Sequence, residues 1–328
     1  MTDQAYSDQP DLHAKAPFRA ALLTQPGNLK EALRQAQADP GKTLFGVGHG
    51  IPSTFVTKVL ASTKPDFIWI DGEHGMFNRL TLHDAVQAAQ HHSEGRSMVI
   101  VRIPEHDELT LSTALDAGAS GIVIPHCEDV EEIKRVVDAA FYPPIGKRSF
   151  SPWTFTPGVS DASLYSNDPF NMGTSNNHTA IIAQIESVKG IENVEEIAAL
   201  EHVSALMFGP GDFSADAGIP LKLGGEPHPI FAAAYGKLIA AGMKYNKPLM
   251  GAAMDASMIP MLISQGFGAI AVSMDVWGLA NLVHGGLKQG RECAQQASEA
   301  KKAEVNEKFT TNGTSKVSVT ANGKATSS

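Results

Sequence analysis

Residues 98–125, MVIVRIPEHDELTLSTALDAGASGIVIP, hold the repeating unit of the fold. Met98–Arg102 is a short apolar run closed by an arginine. Thr110–Ala117 has helical period and follows Glu105, His106 and Asp107, which read as a capped helix start. Gly121–Pro125 is a second short apolar run. Strand, helix and strand in that order, with both strands apolar throughout, predict parallel strands buried on both faces.

The same alternation recurs on either side. Apolar runs fall at Leu44–Gly48, Phe67–Asp71, Met98–Arg102, Gly121–Pro125, Ala180–Glu186, Ala205–Gly209, Pro248–Ala252 and Ala269–Ser273. Helical segments are expected at Asp129–Ala140, Ile191–Leu200, Phe231–Tyr245, Ser257–Gln265 and Leu279–Ala300. Tyr142-Pro143-Pro144 is a stop after the first of these. Repeated alternation of this kind predicts an α/β fold, a single (β/α)8 TIM barrel. A doubly wound open sheet is the competitor, and no Gly-rich phosphate fingerprint follows the first strand. Gly46-Val47-Gly48-His49-Gly50 does not make one.

The chain has 328 residues. At ~150 residues per domain this allows two domains, but an α/β barrel spends ~250 residues on one. The expected division is a flexible segment over 1–25, a barrel over 26–302 and a disordered tail over 303–328. Both ends are too polar to offset their ordering entropy. The stretch 146–177, rich in Pro, Ser, Asn and aromatics, interrupts the alternation. A long irregular loop in a compact domain is an active-site cover or an ordered surface flap.

Lys and Arg number 26 against 35 Asp and Glu, for a formal charge of -9. An acidic chain without a basic stripe is not a nucleic-acid binder. Two cysteines, Cys127 and Cys293, exclude a disulfide scaffold and a thiolate metal module. No run approaches the ~20 apolar residues of a membrane span, and Met1–Ala20 lacks a signal peptide's pattern. No membrane contact and a cytoplasmic location are expected.

In a barrel of this kind, chemistry sits where the strands end. The ends here are Asp71-Gly72-Glu73-His74, Arg102, Gln184-Ile185-Glu186 and Gly209-Pro210-Gly211-Asp212. Glu186 and Asp212, carboxylates on adjacent strand ends, suit an oxygen-liganded Mg²⁺, or Mn²⁺ or Co²⁺; each alone would be a helix cap or a basic residue's partner. His74 is a candidate base, with Asp71 or Asp116 to fix its tautomer, or a structural histidine. Arg102 suits a keto-acid carboxylate or an enolate oxygen, or a salt bridge to Glu73 or Glu105. Gln184 alternates with Glu186, so both face the interior. The Gly209-Pro210-Gly211 backbone offers N–H groups to a carboxylate. His126 and the His91-His92 pair are expected on surfaces. His49 sits at the first strand's mouth, lining the pocket or packing in a loop. No lysine is placed for a Schiff base.

Ile70–His74, Val101–Pro104, Leu115–Ala119, Tyr142–Arg148, Gln184–Glu186 and Gly209–Asp212, in this order, resemble the HpcH/HpaI aldolase family of metal-dependent pyruvate aldolases. The resemblance spans roughly 41–290. It implies a (β/α)8 barrel, a homo-oligomer that is usually a hexamer with the last helix exchanged, and a divalent metal on Glu186 and Asp212. It implies a base at His74 and an enolate-stabilising Arg102. The implied substrate is a small 2-oxo acid, cleaved by oxaloacetate decarboxylation or retro-aldol reaction. Trp69, Phe150 and Pro152 resemble the pocket of a member that joins oxaloacetate's enolate to a second electrophile, a 2-pyrone. Phe170 stands where that member carries a tyrosine, and a phenylalanine donates no hydroxyl hydrogen bond. A malyl- or citramalyl-CoA-type lyase is the rival enzyme, though no basic cluster is present for the CoA phosphates. A non-catalytic binding or assembly barrel is the other alternative.

Overall fold

A computed structural model describes residues 25–105, 107–151, 168, 172–222 and 226–312, the side chains of 308–312 excepted. Eight parallel strands close into a barrel in sequence order. They are β1 Leu44–His49, β2 Phe67–Asp71, β3 Met98–Arg102, β4 Gly121–Ile124, β5 Ala180–Ile185, β6 Val203–Phe208, β7 Leu249–Ala252 and β8 Phe267–Met274. Each expected run overlaps one of them. β2 and β3 run in unbroken register, so Asp71 lies beside Arg102 at the shared end.

The strand period sorts side chains onto two faces. Phe67, Trp69, Ile100, Val123, Ile182, Met207 and Met250 fill the barrel interior. Ile68, Ile70, Val99, Val101, Ile122, Ile181 and Ile185 pack outward, against the surrounding helices. Both faces are dry, which is why the strands read as continuous apolar runs.

Before the first strand lies α1, Leu29–Ala38. The sequence reading did not mark it as a helix. Leu29 and Leu33 join the interior cluster, so α1 plugs the N-terminal end of the barrel. Gly121 makes room for this: a Cβ there would stand 2.5 Å from Leu29 Cδ2.

Between strands the helices are α2 Thr54–Ser62, α3 Arg79–His92, α4 Glu108–Asp116, α5 Val130–Ala140, α6 Met172–His178, α7 Val188–Glu192, α8 Val194–Ala199, α9 Pro210–Asp216, α10 Pro229–Lys244 and α11 Ile259–Ser264. Several of their starts are capped by side chains. Asn78 forms a capping box with Thr81, Asp107 accepts from Leu109 and Thr110, and Asp129 accepts from Glu132. Such caps satisfy N–H groups a helix leaves open.

Three helical expectations change in extent. The segment Ile191–Leu200 is two short helices that meet at Asn193. Ser257–Gln265 opens with a 3₁₀ turn over Ala256–Met258 before α11. The last helix, α12, spans Asp275–Asn312, so residues 303–312 of the expected tail are helical. The end of the expected 146–177 loop is likewise helical, as α6. Residues 1–24, 152–167, 169–171 and 313–328 lie outside the described residues, and with them Pro152 and Phe170.

The barrel unit ends at Val276; Trp277 onward is a unit of its own, on which Trp277, Leu279, Leu282, Val283 and Leu287 are exposed. His49 ends β1 fully buried. Its Nδ1 lies 2.8 Å from Asp275 Oδ2 and its Nε2 2.7 Å from Thr57 Oγ1. Asp275 also accepts from Gly50 N and Ile51 N. Both ring nitrogens are thus engaged, and packing is the role His49 fills. Among the described residues no helix is long and apolar enough to cross a membrane.

Candidate active site

The chain turns sharply after β2. Gly72 N donates to Arg102 O and Gly75 N to Asp71 O. A Cβ on Gly72 would come within 2.7 Å of Arg102 O, and one on Gly75 within 2.4 Å of Asp71 O. This tight loop aims the Asp71 carboxylate back at its own backbone. Asp71 Oδ1 accepts from Glu73 N and His74 N, each at 3.1 Å. Arg102 grips the same group with a two-pronged fork, Nε to Oδ1 at 3.0 Å and Nη2 to Oδ2 at 2.6 Å. Burial raises the Asp71 carboxyl, but Arg102 and the two loop N–H groups outweigh it, and it titrates below its ordinary value. Burial opposes the Arg102 charge; Asp71, Glu73 and Glu186 more than restore it.

Arg102 Nη1 meets Glu73 Oε2 at 3.2 Å, and the guanidinium lies 5.7 Å from the Trp69 ring centroid. The sequence reading offered Glu73 as an alternative partner for Arg102, and the contact is there. Three of the five guanidinium N–H groups are therefore engaged, and the terminal nitrogens keep the rest.

β5 carries the acidic centre. Glu186 is 2% exposed, yet its carboxylate accepts from His126 N at 2.7 Å and Gln184 Nε2 at 2.5 Å. Burial is the largest influence and pushes its pKa up; the two hydrogen bonds and His126 oppose, and the Asp212 charge adds to the rise. Gly209 makes the approach possible, since a Cβ there would lie 2.1 Å from Glu186 Oε2. Gly209 N is spent on Ile185 O, and Pro210 has no N–H, so of the expected backbone donors only Gly211 is left for a ligand. Asp212 stands exposed in the first turn of α9.

This donor set fits a hard divalent cation. A buried carboxylate whose charged form is disfavoured sits near a second carboxylate, and no Lys or Arg pairs with either among the described ion pairs. Gln184, whose Nε2 donates to Glu186, has its buried Oε1 without a hydrogen-bond partner, and the buried Trp69 Nε1, on the strand next to Arg102, also has none. Two protein carboxylates leave most of an octahedral shell to water and substrate, as Mg²⁺ or Mn²⁺ requires.

The structure differs from the sequence expectation at three places. The Asp71 carboxylate is held by Arg102 and the loop N–H groups, and the His74 ring stands by Glu73 instead, Nε2 to Oε2 at 3.7 Å. Asp116 is not near that ring either. It ends α4, a helix running away from the mouth, and is held by Arg148 Nη2 at 2.7 Å. Phe150 lies with it, beside a 630 Å³ cavity on the flank lined by Ser112, Arg135 and Lys147 as well. Third, His126 is not a surface residue away from the site. It stands two residues after the end of β4, with a left-handed φ of 49°. Its ring nitrogens stand 3.7 Å from Glu73 Oε1 and 3.6 Å from Glu186 Oε1. Its place after a strand end is the signal that marks the other mouth residues. Cys127 is buried, and burial pushes its thiol far above the ordinary range, so it is no nucleophile. No strand ends in a lysine.

A closed parallel barrel with an acidic, arginine-bearing mouth defines a class, and sequence comparison agrees. The profile of the family described as HpcH/HpaI aldolase/citrate lyase matches residues 52–281. The chain belongs to that family of carbon–carbon lyases. Among solved structures it is similar to macrophomate synthase, with 64% identity, a TM-score of 0.83, and coverage of 89% of this chain and 98% of that one. Among characterised proteins it is 29% identical over 271 residues to a 4-hydroxy-2-oxovalerate aldolase of Novosphingobium aromaticivorans, covering 83% of this chain and 97% of the relative. It is also 29% identical over 241 residues to a hydroxypyruvate/pyruvate aldolase of Roseobacter denitrificans, covering 74% and 90%.

Proposed function

We propose that the chain is a divalent-metal-dependent lyase that releases pyruvate enolate from a 2-oxo acid. The observation that carries this is the buried Glu186 carboxylate beside Asp212, across the mouth from the Asp71–Arg102 fork. Glu186 and Asp212 would hold the cation, Mg²⁺ or else Mn²⁺ or Co²⁺. When bound, it supplies Lewis-acid polarisation of the substrate's keto group.

The chain's own residues do the rest. Asp71 holds Arg102 so that its remaining N–H groups meet the oxygen on which charge develops. Gly211 offers an N–H to the substrate carboxylate. Gln184 fixes Glu186, and Trp69 floors the pocket. With oxaloacetate the C3–C4 bond breaks to CO₂ and enolate. With a 4-hydroxy-2-oxo acid the products are an aldehyde and the same enolate, and His74 takes the hydroxyl proton. The 64% identity to macrophomate synthase favours a further step, capture of the enolate by an electrophile such as a 2-pyrone.

Asp116 and Phe150 stand on the flank of their own barrel. We place them at the mouth of a neighbouring copy in a homo-oligomer, a hexamer by resemblance, in the cytoplasm.

The test is pyruvate release from oxaloacetate with Mg²⁺. Release is expected to stop with EDTA and in Glu186→Gln. Metal-independent release, or none at all, overturns the reading.

A further inference from the structure

Four non-glycine residues among those described have a left-handed φ: Lys64, Glu94, His126 and Asn246. Three of them have an ordinary reason. Lys64, Glu94 and Asn246 each come directly after the C-cap residue of a helix, Thr63 of α2, Ser93 of α3 and Tyr245 of α10. A left-handed residue there ends the helix and satisfies its last carbonyls. His126 closes no helix. It comes after β4, at the mouth, separated from Ile124 by Pro125 alone.

The N–H groups of residues 126 and 127 show what the turn achieves. β4 and β5 pair side by side as far as Ile124 and Ala183. Beyond that point the Cys127 N–H still reaches β5, donating to Gln184 O at 3.0 Å. The His126 N–H instead meets the Glu186 carboxylate, Oε1 at 2.7 Å. The other oxygen, Oε2, accepts from Gln184 Nε2. At 2% exposure Glu186 has little water to replace a lost donor, and an unmade hydrogen bond at a buried acceptor is costly. The His126 ring takes no part in this grip. Its Nδ1 stands 3.6 Å from Oε1, beyond hydrogen-bond distance, and the side chain is 39% exposed.

We propose that His126 is a positioning residue for Glu186 and acts through its backbone: the left-handed conformation aims its N–H at Oε1 and fixes the carboxylate in the orientation that receives the cation. The proposal rests on the lyase reading above, which gives Glu186 that task. Unfavourable backbone conformations persist where the surrounding structure holds them, and they gather at functional sites. If the conformation is what matters, substitutions at 126 rank by their tolerance of positive φ, not by their likeness to imidazole. Asparagine enters the left-handed region readily, whereas valine, branched at Cβ, is an outlier there. Both lack the imidazole and both keep the N–H. They differ in where the backbone lets that N–H point.

The experiment titrates Mn²⁺ by calorimetry into full-length, metal-free wild type, His126→Asn and His126→Val, with thermal melts in EDTA alongside. His126→Asn is expected to keep the wild-type affinity. His126→Val is expected to lose about 10–100-fold, the usual effect of removing a group that orients a metal ligand. A cooperative melt in EDTA shows that His126→Val is folded. Without one, His126→Ala takes its place, with a loss in the same direction. An asparagine variant that binds no tighter than the valine or alanine variant overturns the proposal. If both are weakened, the lost ring is responsible; if neither is, the turn is only structural, even where the valine variant melts lower. A wild type that binds no Mn²⁺ overturns the lyase reading itself, and this proposal with it.

Discussion

The backbone of Gly209 passes so close to Glu186 that a Cβ on residue 209 would stand 2.1 Å from Oε2 and 2.6 Å from the Glu186 Cβ. The residue that follows β6 thus shapes the carboxylate that follows β5. Gly209→Ala is expected to push Glu186 out of its hydrogen bonds with Gln184 and His126. Mn²⁺ affinity, measured by titration calorimetry, should fall about 10–100-fold, as when the residues that orient a metal ligand are lost. Unchanged affinity would show that Glu186 holds no metal.

Glu186 also couples metal, protons and stability. Its pKa is raised in the folded chain, so the metal-free native state holds more protons than the unfolded chain between the ordinary glutamate range and the raised value. Metal-free stability from this group therefore decreases as pH rises through that window. Glu186→Gln removes the decrease, and thermal melts with EDTA should show a flatter pH profile for the variant. Metal affinity should move the other way in wild type, tightening as pH rises and the carboxylate loses its proton.

Arg102 is expected to matter twice. Arg102→Lys keeps a charge but loses the two-pronged grip on Asp71 and the planar contact with Trp69. Decarboxylase kcat should fall about 10²–10³-fold, the usual cost of an oxyanion donor. Arg102→Ala should in addition destabilise the chain by about 3 kcal/mol, because Asp71 keeps its charge in a largely buried site. Denaturant titration separates the second effect from the first.

The plug offers a control at the opposite end of the barrel. Leu33 is 1% exposed among interior residues. Leu33→Ala should cost about 2–5 kcal/mol of stability. KM for oxaloacetate should not change at temperatures where the variant is folded. A changed KM would show that the plug and the mouth are coupled.

The eight strands were legible because both faces are buried and each run is uninterrupted. Phe67–Asp71 and Met98–Arg102 match residue for residue. Elsewhere strand ends moved by one or two residues, in places where Gly or Pro borders the run, as at Pro248 and Gly268. α1 carried a signal that went unused: Asn28 accepts from Glu31 N, and Leu29, Leu33 and Ala36 share one face. The mouth residues were legible from strand ends alone. The direction of Asp71 was not. A turn of glycines bends its carboxylate onto backbone N–H groups, and residue type does not reveal that geometry. Asp116 was within reach, because the C-terminal end of a barrel helix lies opposite the mouth.

The Asp275 carboxylate gathers His49, Gly50 and Ile51 at the end of β1, while Asp275 itself follows the last residue of β8. The first and last strands are thereby riveted where the barrel's seam closes. A chain cut after Met274 would retain all eight strands and still leave a buried imidazole and two backbone N–H groups without their acceptor. The ring is thus closed by a residue just outside the sheet, and any shortened form of this enzyme has to keep it.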